Sequence, residues 1–228
     1  MLHCPVVKRL VIAVDGPSGA GKGTVARAAA RALGYRHVDT GAMYRAVAWE
    51  AMRRQLRLDA HDEAARLAAE AKIEMDEGRI RINGHDVTAD IRTPDIDKAS
   101  AVMARIPAVR DVLVDLQRVI GRDGGVVMEG RDIGTVVFPS ADVKIYLDAS
   151  PEERARRRAT DAAHTSGRQV DVAHVAEDLA ARDKSDATRS VAPLAQAADA
   201  VYIDTTGMPV ADVVARVLAL VHEKAGNA

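Results

Sequence analysis

A glycine-rich loop between an apolar strand and an alanine-rich helix constrains this chain more than any other feature. Residues 10–14 form a continuous apolar run, which is typical of a strand buried on both faces of a parallel sheet. Residues 22–33 have a helical pattern that Gly34 ends. In this context, inward-facing backbone N–H groups and the positive end of the helix predict a phosphate-binding site. The loop consists of Gly16, Pro17, Ser18, Gly19, Ala20, Gly21, Lys22, Gly23 and Thr24.

Lys22 and Thr24 add nucleotide chemistry to this loop. The Lys22 ammonium group can reach the β- and γ-phosphates of ATP, and the Thr24 hydroxyl can face Mg²⁺ directly or through water. Gly23 stands where the general motif has Ser or Thr, and the Gly-Lys-Gly-Thr variant resembles nucleoside monophosphate kinases rather than motor or signalling NTPases. The loop therefore predicts ATP and Mg²⁺ as cofactors.

Further apolar segments alternate with helical patterns along the chain. They occupy residues 125–128, 143–147 and 200–203, and a short strand precedes Asp39. Ser150 and Pro151 are a good helix start, and a closing helix is expected from about residue 210 to 223. The alternation predicts an α/β fold with a mainly five-stranded parallel sheet flanked by helices.

One stretch departs from that alternation. Residues 72–87 alternate apolar and polar side chains around two turn signals, Glu77-Gly78 and Asn83-Gly84, which predicts a small antiparallel β insertion. Counted from the change of pattern, the insertion spans roughly 35 residues. A polar break at residues 163–168 separates two helical stretches and predicts a mobile loop.

Polar clusters follow the predicted strands, at the edge where open α/β sheets bind ligands. Thr40 is expected to cap the helix after the second strand, and Arg45 lies in its early turns, where it could meet a phosphate dianion. Residues 129–135 read Glu-Gly-Arg-Asp-Ile-Gly-Thr at the end of a buried strand, which solvation alone explains poorly. Residues 182–189 mix both charges beside the polar break.

Bulk properties exclude several classes of function. The net charge is −1 and only 3% of residues are aromatic, so neither a basic surface nor a set of stacking platforms for nucleic acid is expected. The single cysteine excludes an internal disulfide, and the first apolar run is too short for a signal peptide or a membrane span. We therefore expect a cytoplasmic protein without nucleic-acid or membrane partners.

Four motifs together resemble the bacterial cytidylate kinases: residues 15–24, 39–45, 129–139 and 191–194. The resemblance covers nearly the whole chain, including the antiparallel insertion. It implies a single P-loop kinase domain over residues 1–228, with an NMP-binding region at 40–110 that contains the insertion at 62–92, and a short helical lid at 152–187. It also implies in-line transfer of the γ-phosphoryl group of ATP to CMP or dCMP, with Mg²⁺.

The resemblance also implies roles for individual residues. Thr40 and Arg45 would hold the CMP phosphate, Arg182 and Asp186 would approach the ribose and phosphates, and Arg131 would join the phosphate network. The residues implied around cytosine are Ser100, Arg110, Asp132 and Arg189. The implied catalytic residues are Lys22, Arg131, Arg157 and Arg158.

The lid arginines follow from helical spacing as well. Arg154, Arg157 and Arg158 share one helix face. Such a run is commonly a solvated face, but phosphoryl transfer needs positive charge around the transferring group.

Three alternatives stay open from the residues. The acceptor could be another monophosphate, such as UMP or AMP, or a small hydroxylated metabolite. The chain could bind nucleotide without catalysis. A nucleic-acid partner is the weakest alternative.

A complete site within one chain favours a monomer.

Overall fold

The structure is a computed structural model that describes residues 9–58, 60–76, 78–161 and 170–226. The polar break predicted to be mobile, residues 163–168, lies outside the described residues. The strands are β1 (Val11–Asp15), β2 (Arg36–Asp39), β3 (Ile73–Asp76), β4 (Arg79–Ile82), β5 (His85–Asp86), β6 (Val126–Glu129), β7 (Val143–Asp148) and β8 (Val201–Asp204). The helices are α1 (Lys22–Leu33), α2 (Thr40–Arg53), α3 (His61–Glu70), α4 (Pro94–Met103), α5 (Pro107–Gly121), α6 (Pro151–Thr160), α7 (Val172–Ala187) and α8 (Val210–Gly226).

Five strands form a parallel sheet in the order β2-β6-β1-β7-β8. Successive side chains of β1 point to opposite faces, so Ile12 and Val14 pack in the core cluster that includes α1 and α8, while Ala13 packs in the cluster that includes the α5 side chain Val114. The sheet confirms the predicted fold class. Its central strand, β1, leads directly into the glycine-rich loop.

The predicted antiparallel insertion is a three-stranded sheet in the order β3-β4-β5. Asn83 and Gly84 have φ angles of 51° and 83°, the left-handed values that a tight turn between such strands requires. Ile80 and Ile82 pack into a separate core with α2, α3, α4 and α5. The sheet occupies only residues 73–86, because the first part of the predicted segment 62–92 is helix α3.

Two helix starts test the predicted caps. Ser150 caps α6, since its hydroxyl accepts a hydrogen bond from the Glu153 N–H at 3.2 Å, as predicted. The prediction that Thr40 caps α2 is wrong: the Asp39 carboxylate accepts from the Ala42 N–H at 3.0 Å, and Thr40 is the first helical residue. The helix begins one residue earlier than expected, so Asp39 is the N-cap residue, and the Thr40 hydroxyl donates to the Glu129 carbonyl oxygen instead.

No helix in the described ranges is long and apolar enough to cross a bilayer. Helices α6 and α7 pack against each other beside the carboxyl ends of β1 and β7. This packing places the arginine-rich face of α6 next to the glycine-rich loop.

Candidate active site

A cleft of about 890 Å³ opens at the carboxyl end of the parallel sheet. Its walls come from the glycine-rich loop, the starts of α2 and α5, the end of α4 and helices α6 and α7. Gly16 and Pro17 are the only predicted site residues that do not line it. The predicted residues on its walls are Ser18, Gly19, Ala20, Gly21, Lys22, Gly23, Thr24, Thr40, Arg45, Ser100, Arg110, Arg131, Asp132, Arg157, Arg158, Arg182, Asp186 and Arg189.

The glycine-rich loop is shaped by close backbone packing. A Cβ atom on Gly16 would lie 1.9 Å from the Leu147 carbonyl oxygen, and the φ angle of 144° there also requires glycine. Gly21 precedes α1 with a left-handed φ of 88° and no side-chain cap. The first N–H groups of α1 are therefore left for a ligand, and they face the cleft.

Lys22 is buried at the floor of this loop. Its Nζ donates to the Pro17 carbonyl oxygen at 2.7 Å. Burial, and secondarily the charge of Arg131, lowers the pKa of Lys22 to about 7. A phosphate anion in the loop would favour the charged form of this side chain.

Arg45 and Thr40 lie where α2 begins. The Arg45 Nη2 donates to the Asp39 Oδ2 at 2.8 Å, and the Thr40 hydroxyl donates to the Glu129 carbonyl oxygen at 2.8 Å. Burial acts to raise the pKa of Asp39, but Arg45 and the Ala42 N–H hold it below its usual range. The Arg45 Nε is buried and has no hydrogen-bond partner among the described residues.

Asp132 and Arg110 form a buried ion pair on another part of the cleft wall. The Arg110 guanidinium lies 5.9 Å from the centre of the Tyr44 ring, and burial raises the pKa of Tyr44 to about 12. Ser100 and Arg189 are also buried and line the same cleft. The Arg110 Nε and the Arg189 Nη2 have no hydrogen-bond partner within the described parts of the chain, so this wall offers buried donors to a polar ligand.

Arg131 connects this wall to α7. Its Nε donates to the Asp186 Oδ2 at 2.9 Å, and the Arg189 Nη2 lies 3.6 Å from the other oxygen of Asp186. Burial acts to lower the pKa of Arg131, but Asp186 outweighs it and the pKa is raised. Three charged side chains predicted from two separate motifs are thus adjacent in space.

The arginines of α6 have different partners. Arg158 forms an ion pair with Asp97, which also pairs with Arg182 at 3.2 Å. Arg157 donates to the hydroxyl of Thr205 at 2.8 Å and to its carbonyl oxygen at 2.6 Å. Burial lowers the pKa of Arg158 to about 10. Two of the lid arginines predicted from helical spacing therefore face the cleft.

Arg154, the third residue of that helix face, contacts the glycine-rich loop itself. Its Nη1 donates to the Ser18 carbonyl oxygen at 3.2 Å and forms an ion pair with Asp183. The Ser18 N–H donates to Asp183 at 3.4 Å. Helices α6 and α7 are therefore both joined to the loop through Ser18.

Sequence reasoning missed several residues at or behind the cleft wall. Asp97 pairs with two arginines of that wall, and it was missed because two acidic residues at a helix start look like ordinary first-turn acids. Arg92, Tyr44 and Thr205 line the cleft. Only Tyr44, inside the motif at residues 39–45, carried a signal that could have found it.

A phosphate-binding loop at the carboxyl edge of a parallel sheet, facing arginines across a deep cleft, defines a nucleotide-binding protein of the P-loop class. The family model for cytidylate kinase matches residues 12–223. Among relatives, the cytidylate kinase of Pelotomaculum thermopropionicum is 50% identical over 215 residues, covering 92% of this chain and 95% of that protein. The cytidylate kinase of Desulfitobacterium hafniense is 47% identical over 220 residues, covering 95% of this chain and 94% of that protein.

The chain therefore belongs to the cytidylate kinase family, which supports phosphorylation of CMP with ATP as co-substrate. Among solved structures, the shikimate kinase of Bacteroides thetaiotaomicron has a TM-score of 0.50 and 13% identity, covering 93% of this chain and 98% of that one. This likeness shows the P-loop kinase fold alone.

Proposed function

We propose that the cleft transfers the γ-phosphoryl group of ATP to CMP, and also to dCMP, giving ADP with CDP or dCDP. The observation that carries this proposal is the position of the Arg110–Asp132 pair in the same cleft as the glycine-rich loop. One end of the cleft suits a triphosphate and the other a polar base. The phosphate of the acceptor would then lie between them.

Base selection follows from the chemistry of Asp132. Cytosine has an exocyclic amine where uracil has a carbonyl oxygen, and a carboxylate accepts from the amine but repels the oxygen. Leaving such a buried pair unmade costs about 1–3 kcal/mol, which favours CMP over UMP. Ser100, Arg110 and Arg189 would complete the contacts to the base.

The acceptor phosphate would bind Arg45, Thr40 and Arg131. The buried Arg45 Nε supports this role, because a buried donor without a protein partner needs an acceptor from a ligand. Its pairing with Asp39 holds the guanidinium in a fixed orientation. Arg182 and Asp186 would approach the ribose and the phosphates.

Transfer breaks the bond between the γ-phosphorus and the β,γ-bridging oxygen of ATP, and it forms a bond from that phosphorus to a CMP phosphate oxygen. Lys22, Arg131, Arg157 and Arg158 would neutralise the charge that spreads over the transferring group. Lys22 is buried and the three arginines are half-buried, which strengthens that effect and limits the access of water that would hydrolyse ATP.

The residues present fit Mg²⁺. Thr24 is exposed to the cleft in the first turn of α1, and the Glu129 carboxylate lies beside Gly23, so the oxygen ligands that this ion prefers are available. The described residues contain no cluster of three metal-ligating side chains, so phosphate and water oxygens would complete the coordination. Thr24 would hold the ion directly or through water. When bound, the ion neutralises charge on the phosphates of ATP.

A monomer stays a proposal from the sequence, and a solution mass near 24.3 kDa would agree with it. A cytoplasmic location stays a prediction from the sequence.

Phosphorus NMR tests the reaction. With Mg²⁺, ATP and CMP, we expect the resonances of ADP and CDP to grow together, and the same with dCMP in place of CMP. Growth of inorganic phosphate without a CDP resonance would contradict direct transfer.

A further inference from the structure

The carboxylate of Asp15 contacts the segment that carries Asp132. Asp15 is the last residue of β1 and is only 5% exposed. Its Oδ1 accepts from the Ile133 N–H at 2.8 Å, and its Oδ2 accepts from the Gly134 N–H at 2.7 Å. Burial raises the pKa of Asp15 to about 6, although the two N–H groups oppose that rise.

The two N–H groups belong to the start of a short π-helical turn, Ile133–Val137. The first N–H groups of any helical turn lack partners inside the turn. The side chain of Asp132, the N-cap residue of this turn, does not accept from them. The carboxylate of Asp15 supplies the missing acceptors from a different strand. Negative charge at this end of a helical turn is also favourable.

The turn has little freedom to move away from this carboxylate. A Cβ atom on Gly134 would lie 3.1 Å from the Lys144 Cδ and 3.4 Å from the Asp15 Oδ2. Lys144 is itself fixed, because its Nζ donates to the Pro139 carbonyl oxygen at 2.5 Å and to the Asp199 carboxylate at 2.8 Å. Ile133 is therefore held by Asp15, and Gly134 lies between Asp15 and Lys144.

Asp15 also directly precedes Gly16, where the glycine-rich loop begins. One side chain thus joins the start of the donor loop to the residues that follow Asp132. We propose that Asp15 is a positioning residue for acceptor specificity, which sets the place of the Asp132 carboxylate relative to the bound base. This inference rests on the proposed base-reading role of Asp132.

The test compares wild type with Asp15→Asn, Asp132→Asn and the double variant, each assayed with CMP and with UMP at saturating Mg²⁺ and ATP. The Asn side chain keeps one acceptor oxygen for one backbone N–H. Its NH₂ group is a donor, so the second backbone N–H loses its acceptor. We expect Asp15→Asn to lower the CMP-over-UMP ratio of kcat/KM by about tenfold, chiefly through the KM for CMP. We expect the KM for ATP to change by less than about threefold.

The double variant decides whether Asp15 acts through Asp132. If it does, Asp15→Asn lowers the ratio no further once Asp132 is already Asn, because the effects of coupled residues do not multiply. The matched control is Glu50→Gln, which changes another fully buried carboxylate outside the cleft and should leave the ratio unchanged. If Asp15→Asn does not fold, Asp15→Glu keeps the charge and displaces the turn by one methylene, with the same loss of ratio expected.

The outcomes separate two failures. An unchanged ratio in Asp132→Asn would remove the base-reading role on which the inference rests. A lowered ratio in Asp132→Asn together with a wild-type ratio in folded Asp15→Asn or Asp15→Glu would overturn the inference alone. Fully multiplicative effects in the double variant would also overturn it.

Discussion

Arg45 is held by a residue six positions earlier in the chain. The Asp39 carboxylate accepts from the Arg45 Nη2 through one oxygen and caps α2 through the other. The guanidinium therefore has a fixed orientation before any ligand binds. A fixed, planar donor group suits a phosphate better than a flexible ammonium does.

We expect Arg45→Lys to lower kcat/KM for CMP by about 10–100-fold, because a lysine loses the two-point geometry toward phosphate. Steady-state kinetics with varied CMP measures this. The control is Arg53→Lys on the same helix, whose side chain is 44% exposed and lies outside the cleft, and which should stay within about twofold of wild type. Equal effects of the two substitutions would contradict a phosphate role for Arg45.

The sequence predicted the residues of the site better than their partners. Lys22, Arg45 and Asp132 lie in local motifs, and all three line the cleft. Asp15 begins the motif at residues 15–24, but that motif did not indicate its contacts with Ile133 and Gly134. The pairing of Asp97 with Arg158 and Arg182 was missed as well. Contacts between residues so far apart in sequence leave no pattern in the local sequence.

At the scale of elements, the buried Glu50 joins α2 to the antiparallel insertion. It accepts hydrogen bonds from the Arg53 Nε at 2.7 Å, the Arg54 Nε at 2.8 Å and the Asn83 Nδ2 at 3.0 Å. Asn83 belongs to the turn between β4 and β5, so the insertion is fixed to the helix that carries Arg45. The alternation of residues 72–87 predicted the three strands, but nothing in it indicated which helix they contact.

We expect Glu50→Ala to lower the free energy of unfolding by about 1–3 kcal/mol, since it removes a buried carboxylate that accepts hydrogen bonds from Arg53, Arg54 and Asn83. Urea denaturation measures this free energy. The fluorescence of Trp49, the single tryptophan and the neighbour of Glu50 in sequence, reports unfolding. The control is Asp115→Ala, which removes a 76% exposed side chain and should change stability by less than about 0.5 kcal/mol.

The effect of Glu50 depends on pH. Hydrogen bonds, first of all from Arg53, lower the pKa of Glu50 from 4.5 to about 2 in the folded state. A carboxylate with a lowered pKa stabilises the fold above its unfolded pKa, and that contribution is lost as the pH falls from 4.5 to about 2. The difference in the free energy of unfolding between wild type and Glu50→Ala should therefore become smaller as the pH falls from 6 to 3. A constant difference would contradict this account.

At the scale of the whole molecule, one cleft is enclosed by parts of the chain that are far apart in sequence. Asp97 on α4 pairs with Arg158 on α6 and with Arg182 on α7, and Arg154 connects α6 to the glycine-rich loop. The alternation of strands and helices predicted a parallel sheet. The strand order, with β1 between β6 and β7, depends on long-range packing that no local pattern encodes.

The most direct test of the proposed reaction is steady-state ADP release with Mg²⁺-ATP and, in separate reactions, CMP, dCMP, UMP, AMP and GMP. We expect fast turnover with CMP and dCMP and at least about tenfold lower kcat/KM with each of the others. Preference for another monophosphate would contradict the proposed base recognition by Asp132, and the absence of turnover with every acceptor would contradict the proposed transfer reaction itself.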